Sequence, residues 1–282
     1  MKKVLLLTLL ALLVAARGAV ADTIGGSGNW VTWGPGNLTS HTLVDVVTKG
    51  LSPTGTYYWD NMSWDNWSLG SNIGYCLGTT NCGLSSPPGA MPFYGTNTGG
   101  SVSDITFSAG NTSLLTVEMT GAAYWSDNIF GWYYVDTNGI HETPLFTGAG
   151  PGATTLFAPP TGISYGFYLT SPDAPDSPTW FSDSLLNQSL QLDDYLNQTS
   201  RVYSQTNDQH FAIFSPNTSR SSPSYWIGAE DLPFKPYQWS SDRDYNDIVV
   251  RMDPVPEPGS VYLLGTGLLG LLGLRFRRRK HS

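Results

Sequence analysis

Near the C-terminal end of the chain, Asp242, Asp244, Asn246 and Asp247 place oxygen-bearing side chains at alternate positions, a short way after Glu230 and Asp231. Oxygen donors arranged this way in a tight loop converge on a hard divalent cation, and Asp is the short, rigid carboxylate that turn-based calcium sites use. The loop departs from an EF-hand, because Asp247 stands where that loop has its glycine and the following Ile248–Met252 reads as a strand. The expectation is a Ca2+ site that stabilises rather than reacts. The competing expectation is a turn whose carboxylates cap backbone amides or pair with Arg243 and Arg251.

A second group is aromatic. Trp59, Trp64 and Trp67 alternate with Asp60, Asn61, Asp65 and Asn66, and the triplet Trp-Asp-Asn occurs twice. Exposed indole faces flanked by carboxylates and amides suit sugar rings, which makes the three tryptophans candidate glycan-binding residues. The alternative is that they fill a core, as buried aromatics usually do. Enzyme signatures are absent. His141-Glu142 does not continue into a zinc motif, no Gly-x-Ser-x-Gly elbow occurs, and the glycine-rich stretch at Gly148–Gly152 precedes a strand where a dinucleotide loop needs a helix. A glycoside hydrolase or lyase stays open as the alternative function, since its two acids need not be close in sequence.

The last stretch concerns address rather than chemistry. Pro256-Glu257-Pro258 is followed by the uncharged run Ser260–Leu274 and by Arg275, Arg277, Arg278, Arg279 and Lys280. As a helix the run rises only about 23 Å, against a hydrocarbon core of roughly 30 Å. It reads as a marginal transmembrane helix with a basic, cytoplasmic stop. This order of three parts closely resembles the PEP-CTERM sorting signal of Gram-negative bacteria. The resemblance implies recognition by an exosortase-type transpeptidase, transient anchoring in the inner membrane, and delivery to the cell surface or the exopolysaccharide matrix.

The front end agrees. Lys2-Lys3, the apolar Val4–Ala16 and the small-x-small Ala19-Val20-Ala21 form a signal peptide over 1–21, so the mature chain is expected to begin at Asp22. Between Asp22 and Glu257 lie all 22 acids and only six bases, a formal charge of −16 for the body. Such a body repels nucleic acid and anionic lipid and favours divalent cations. Cys76 and Cys82, the two cysteines, are expected to close a small loop as one disulfide of an exported protein.

The body is rich in Gly, Pro, Ser, Thr, Asn and aromatics and poor in Lys and Glu, a composition for short strands joined by turns. Strand patterns fall at Leu43–Thr48, Ser101–Phe107, Leu114–Met119, Ile129–Val135, Thr155–Ala158, Gly166–Thr170, Phe211–Phe214, Tyr225–Ile227 and Ile248–Met252. The second and third of these read as a hairpin around Ala109-Gly110-Asn111, and Leu185–Leu196 is the one helix candidate. The expected fold is a single jelly-roll-like β-sandwich over 22–252, followed by a linker over 253–258 and the transmembrane helix with its basic tail over 259–282.

Within the body, Gly131-Trp132-Tyr133, Gly166-Phe167-Tyr168, His210–Phe214, Trp226–Leu232 and Asp242–Asp247 together resemble the DUF4114 domain over about 120–252. The resemblance implies a β-sandwich module of exported, often calcium-associated bacterial surface proteins, and no catalytic activity. The expected function is therefore a non-enzymatic surface or matrix protein, calcium-stabilised, with extracellular polysaccharide as a candidate partner.

Overall fold

The computed structural model describes residues 22–33, 58–59, 72–78, 84, 87–110, 112–121, 125–172, 179–187, 191–194, 199–202, 209–222, 224–232 and 244–255. The chain is mainly β, in two antiparallel sheets. The first sheet runs β1 (Thr23–Ile24), β4 (Phe107–Ser108), β9 (Ser164–Thr170), β6 (Ile129–Asp136), β7 (Gly139–Thr147), with β10 (Trp180–Phe181) also paired to β9. The second runs β2 (Asn29–Val31), β3 (Phe93–Gly95), β13 (Phe211–Phe214), β14 (Tyr225–Ala229), β15 (Ile248–Pro254), β5 (Ser113–Met119), β8 (Thr154–Phe157). A separate ribbon pairs β11 (Gln191–Asp194) with β12 (Thr199–Val202). Among the described residues one α-helix occurs, α1 (Ile73–Gly78).

The sheets pack face to face because their strands carry apolar side chains at every second position. In β5 the buried residues alternate with half-buried ones, and Leu115 and Val117 point into the cluster that also holds Phe107, Phe130, Phe167, Leu169, Ile213, Ile227, Val250 and Met252. Phe130 stacks on Phe167 at 5.4 Å and Phe107 on Tyr165 at 5.6 Å, contacts worth about 0.5–1.5 kcal/mol each beyond their burial. Every residue of β13 and β14 is buried. Their inward side chains join the central cluster, while Ala212, Phe214 and Trp226 face a second cluster with Trp33, Trp59, Phe93 and Ile73, Cys76 and Leu77 of α1. Covering on both faces explains why these two strands read as continuous apolar runs.

Two expectations are corrected. The hairpin between Ser101–Phe107 and Leu114–Met119 does not form. Phe107 pairs with Ile24 and Tyr165 in the first sheet, whereas Leu114 pairs with Asp253 and Leu156 in the second. The chain instead passes from the first sheet to the second between them. Asp22 pins the crossing, accepting from the Gly110 N–H and from the Ser113 hydroxyl. Leu185–Leu196 is not a helix. Ser184–Leu186 forms a single 3-10 turn capped by the Asp183 side chain, and Gln191–Asp194 is β11. β15 runs to Pro254, two residues past the strand expected over Ile248–Met252. The strand candidate Leu43–Thr48 lies outside the described residues.

Candidate functional site

The antiparallel order gives the pair of sheets two ends. Ala229, Phe211, Ile248 and Met119 lie at one end of the second sheet, and Tyr225, Phe214, Pro254 and Ser113 at the other. The crossings from β5 to β6 and from β7 to β8 put Ile129, Thr147 and Thr170 at the first end. The crossings from β4 to β5 and from β8 to β9 put Ser108, Ser164 and the Asp136–Gly139 turn at the second.

The acids singled out by the sequence gather at the first end. Glu230, Asp231, Asp244 and Asn246 are all buried. Glu230 follows β14 directly, and its carboxylate accepts the Tyr245 N–H. The Asp247 carboxylate accepts the Asp231 N–H at 2.8 Å. The two carboxylates of Asp244 and Asp231 accept from Asn246 and from the Asn128 amide respectively. Tyr245 sits between them at φ 58°, the left-handed region that a bulky residue rarely adopts. Its hydroxyl donates to the Gln209 carbonyl, which fixes the ring as firmly as Glu230 fixes the backbone. Gly121 N–H donates to the carbonyls of both Asn246 and Asp247, and Ile73 N–H to that of Asp244, so α1 is tied to the same loop.

Trp180 underlies this arrangement. It is fully buried, its indole N–H donates to the Asp231 carbonyl at 3.1 Å, and its ring stacks on His210 at 3.6 Å with 6° between the planes. Burial pushes the Asp231 carboxyl above the ordinary carboxylate range, while hydrogen bonds with Asp247, Asn128 and Ser171 pull it back. Of the two arginines that the competing expectation offered as partners, Arg251 serves other acids. That guanidinium pairs with Glu118 at 2.9 Å and Asp253 at 2.7 Å, over the Trp226 ring.

As built, the carboxylates act as clasps: Glu230, Asp244 and Asp247 each hold a backbone amide of a loop that joins one strand to the next, and Asp231 holds the Asn128 side-chain amide. Among the described residues no three His, Cys, Asp or Glu side chains are placed to hold a metal ion. Asp242, and Arg243 with it, lies outside the described residues. The sequence reading missed Asn128, Ser171, Gln209 and Trp180 as members of this cluster. Asn128 precedes β6 and Ser171 follows β9, and they meet because Ile129 and Thr170 are paired. Their signal appears only once the strand register is known.

The aromatic candidates separate. Trp59 is fully buried, with its ring against Trp33 at 5.0 Å, Phe214 at 5.2 Å and Phe93 at 5.4 Å. A Cβ on Gly74 would come within 2.2 Å of the Trp59 ring, so that glycine is what admits the indole. A ring enclosed in this way offers no face to a sugar, and Trp59 is a core residue. Trp64 and Trp67 lie outside the described residues. Cys76 is disulfide-bonded and buried in the same cluster, and Cys82, the chain's other cysteine, lies outside the described residues.

At the second end the body closes on the tail. Val255 N–H donates to the Thr112 carbonyl at 2.8 Å, and Pro256, Glu257 and Pro258 follow outside the described residues. No helix among the described residues is long and apolar enough to cross a membrane. Residues 254–279 match the PEP-CTERM protein-sorting motif, starting on the last residue of β15. Such a motif marks an exported protein for processing by an exosortase-type enzyme and sorting to the cell surface. No curated protein and no solved structure matches the chain.

Proposed function

We propose that the chain is a non-enzymatic surface or exopolysaccharide-matrix protein of a Gram-negative bacterium. It is exported by the signal peptide 1–21, held in the inner membrane by the apolar run before its basic tail, and released by an exosortase-type transpeptidase. The observation that carries this reading is the sorting motif at 254–279, joined without a spacer to the last strand of a β body. The body is a DUF4114-like, jelly-roll sandwich in this reading, with extracellular polysaccharide as its partner through surfaces that include Trp64 and Trp67. A polymer-cleaving enzyme is not favoured. Glu230, Asp231 and Asp244 come together at 0–3% exposure, sealed from any polysaccharide chain.

Fractionation of cells carrying an exosortase tests the reading. Wild-type protein is expected outside the inner membrane, and the variant with Pro256, Glu257 and Pro258 all replaced by alanine is expected to stay in it. Equal release of both would remove the sorting assignment.

Calcium is the second reading of the acidic loop, favoured by the burial of several carboxylates beside Asp242 in one loop system. The described donors do not form a site by themselves, so Asp242 has to complete it together with Glu230, Asp231, Asp244, Asn246 and Asp247. Melting in calcium and in EDTA separates the two roles. A bound ion raises the melting temperature with concentration, and Asp244→Ala removes that rise. Identical melting in calcium and EDTA leaves the clasp as the whole role of the loop.

A further inference from the structure

The end of the sandwich opposite the acids carries an exposed apolar pair. The β6–β7 turn projects there, and its flanking residues Val135 and Ile140 are cross-strand partners with 54% and 41% of their surface exposed. The neighbouring loops, 158–162 and 216–221, consist of Ala, Pro, Thr, Gly, Asn and Ser with Arg220 as their one charged residue. Of the described acids of this end, two are held by protein partners and Asp136 keeps an exposed carboxylate beside the hairpin tip. Asp136 pairs with His141 at 2.9 Å, Asp253 with Arg251 at 2.7 Å, and Asp22 is buried among hydrogen-bond donors. Asp127, Glu230, Asp231, Asp244 and Asp247 all belong to the opposite end.

Both covalent exits are also here. Val255 is fixed by its bond to Thr112, and the apolar run begins at Ser260. Five residues of extended chain reach about 18 Å at most. Asp22, the first residue after the signal peptide, is held at the same end, its carbonyl accepting the Tyr225 hydroxyl at 2.8 Å. A body tethered so closely cannot turn its far end to the bilayer. Among the described residues, loops 158–162 and 216–221 add no acid that an anionic leaflet would repel.

We propose that this end of the sandwich docks on the lipid bilayer while the tail is inserted, with the Val135–Ile140 hairpin tip seated in the interfacial layer and the acidic end directed away. The proposal rests on the reading of the tail as membrane-inserted. Docking holds the Pro256-Glu257-Pro258 segment at the bilayer surface, where a membrane-embedded processing enzyme reaches it, and the apolar tip adds a second contact to a marginal anchor.

The test uses the full chain, expressed without an exosortase and reconstituted in phosphatidylethanolamine–phosphatidylglycerol vesicles. An environment-sensitive dye is attached in turn to Val135→Cys, Ile140→Cys and, at the acidic end, Trp125→Cys, without reductant so that the Cys76 disulfide persists. Spin-labelled lipid headgroups are expected to quench the dye at 135 and 140 at least threefold more than at 125. Equal quenching at all three positions, or stronger quenching at 125, overturns the docking while leaving the anchor intact. Failure of the chain to float with vesicles overturns the membrane reading of the tail and the docking together.

Discussion

Replacing Trp180 with alanine is expected to lower the stability of the protein by about 4 kcal/mol, the range for deleting a buried large aromatic. Three losses combine in that change. The indole leaves a cavity between the sheets, His210 loses the ring it stacks on, and the Asp231 carbonyl loses its donor. Trp180→Phe separates them. It keeps most of the apolar bulk and a stacking face, and it is expected to cost only about 1–2 kcal/mol for the missing N–H donor. Urea unfolding followed by far-ultraviolet circular dichroism measures both. Equal costs for the two substitutions would mean that the hydrogen bond to Asp231, rather than packing, dominates this end of the core.

Glu230→Ala is expected to cost about 3 kcal/mol, because it strips a buried backbone N–H of its acceptor and removes one of the contacts that hold Tyr245 in a left-handed conformation. Glu230→Gln keeps an acceptor oxygen in the same place and is expected to lose less than half as much. This pair of variants also distinguishes the clasp from the ion site. A clasp needs an oxygen and is indifferent to its charge, so the glutamine variant then melts alike in calcium and in EDTA, as does wild type. An ion site needs the charge, so wild type then gains from calcium and the glutamine variant gains less. The buried position makes the alanine cost large in either case, which is why the glutamine variant carries the discrimination.

Most of the strands were legible because a half-buried or fully buried strand leaves a strong pattern. Ile129–Val135, Gly166–Thr170, Phe211–Phe214, Tyr225–Ile227 and Ile248–Met252 all fall within strands. β7 left no such pattern. It is a largely exposed edge strand of nine residues, with Pro144, His141 and the charged Glu142 along it, a composition that keeps an edge from pairing with another chain. Connectivity was less legible than strands. Phe107 and Leu115 each need one face on the same core, and a hairpin or a crossing satisfies both equally. What decides is the carboxylate of Asp22, far off in sequence, on Gly110 and Ser113. Leu185–Leu196 misled for a related reason. Leucine density there suggested a helix, but the Asp183 cap and the pairing of β11 with β12 split the segment.

The acidic site was legible in part. Glu230 and Asp231 do meet Asp244, Asn246 and Asp247, because β14 and β15 are neighbours and the loop between them returns to its own start. What spacing alone left open was the use of the oxygens. In the structure they hold backbone amides, a role that depends on the φ of Tyr245 and the position of Asn128, neither of which has a one-dimensional signature. Trp59 shows the same limit from the other side. An indole beside Asp and Asn looks like a sugar platform until Gly74 and Phe93 are seen to enclose it.

The central claim is that the body is cargo for an exosortase-type sorting system, and the mass of the mature protein tests it most directly. Intact-mass spectrometry is applied to the protein recovered from the cell surface or medium of an exosortase-bearing host. The expected product begins at Asp22 and lacks the apolar run and the arginine cluster, and none is recovered from the variant with alanine at Pro256, Glu257 and Pro258. A surface product that retains residues 260–280, or one of unchanged mass from a host without the exosortase, would contradict the account.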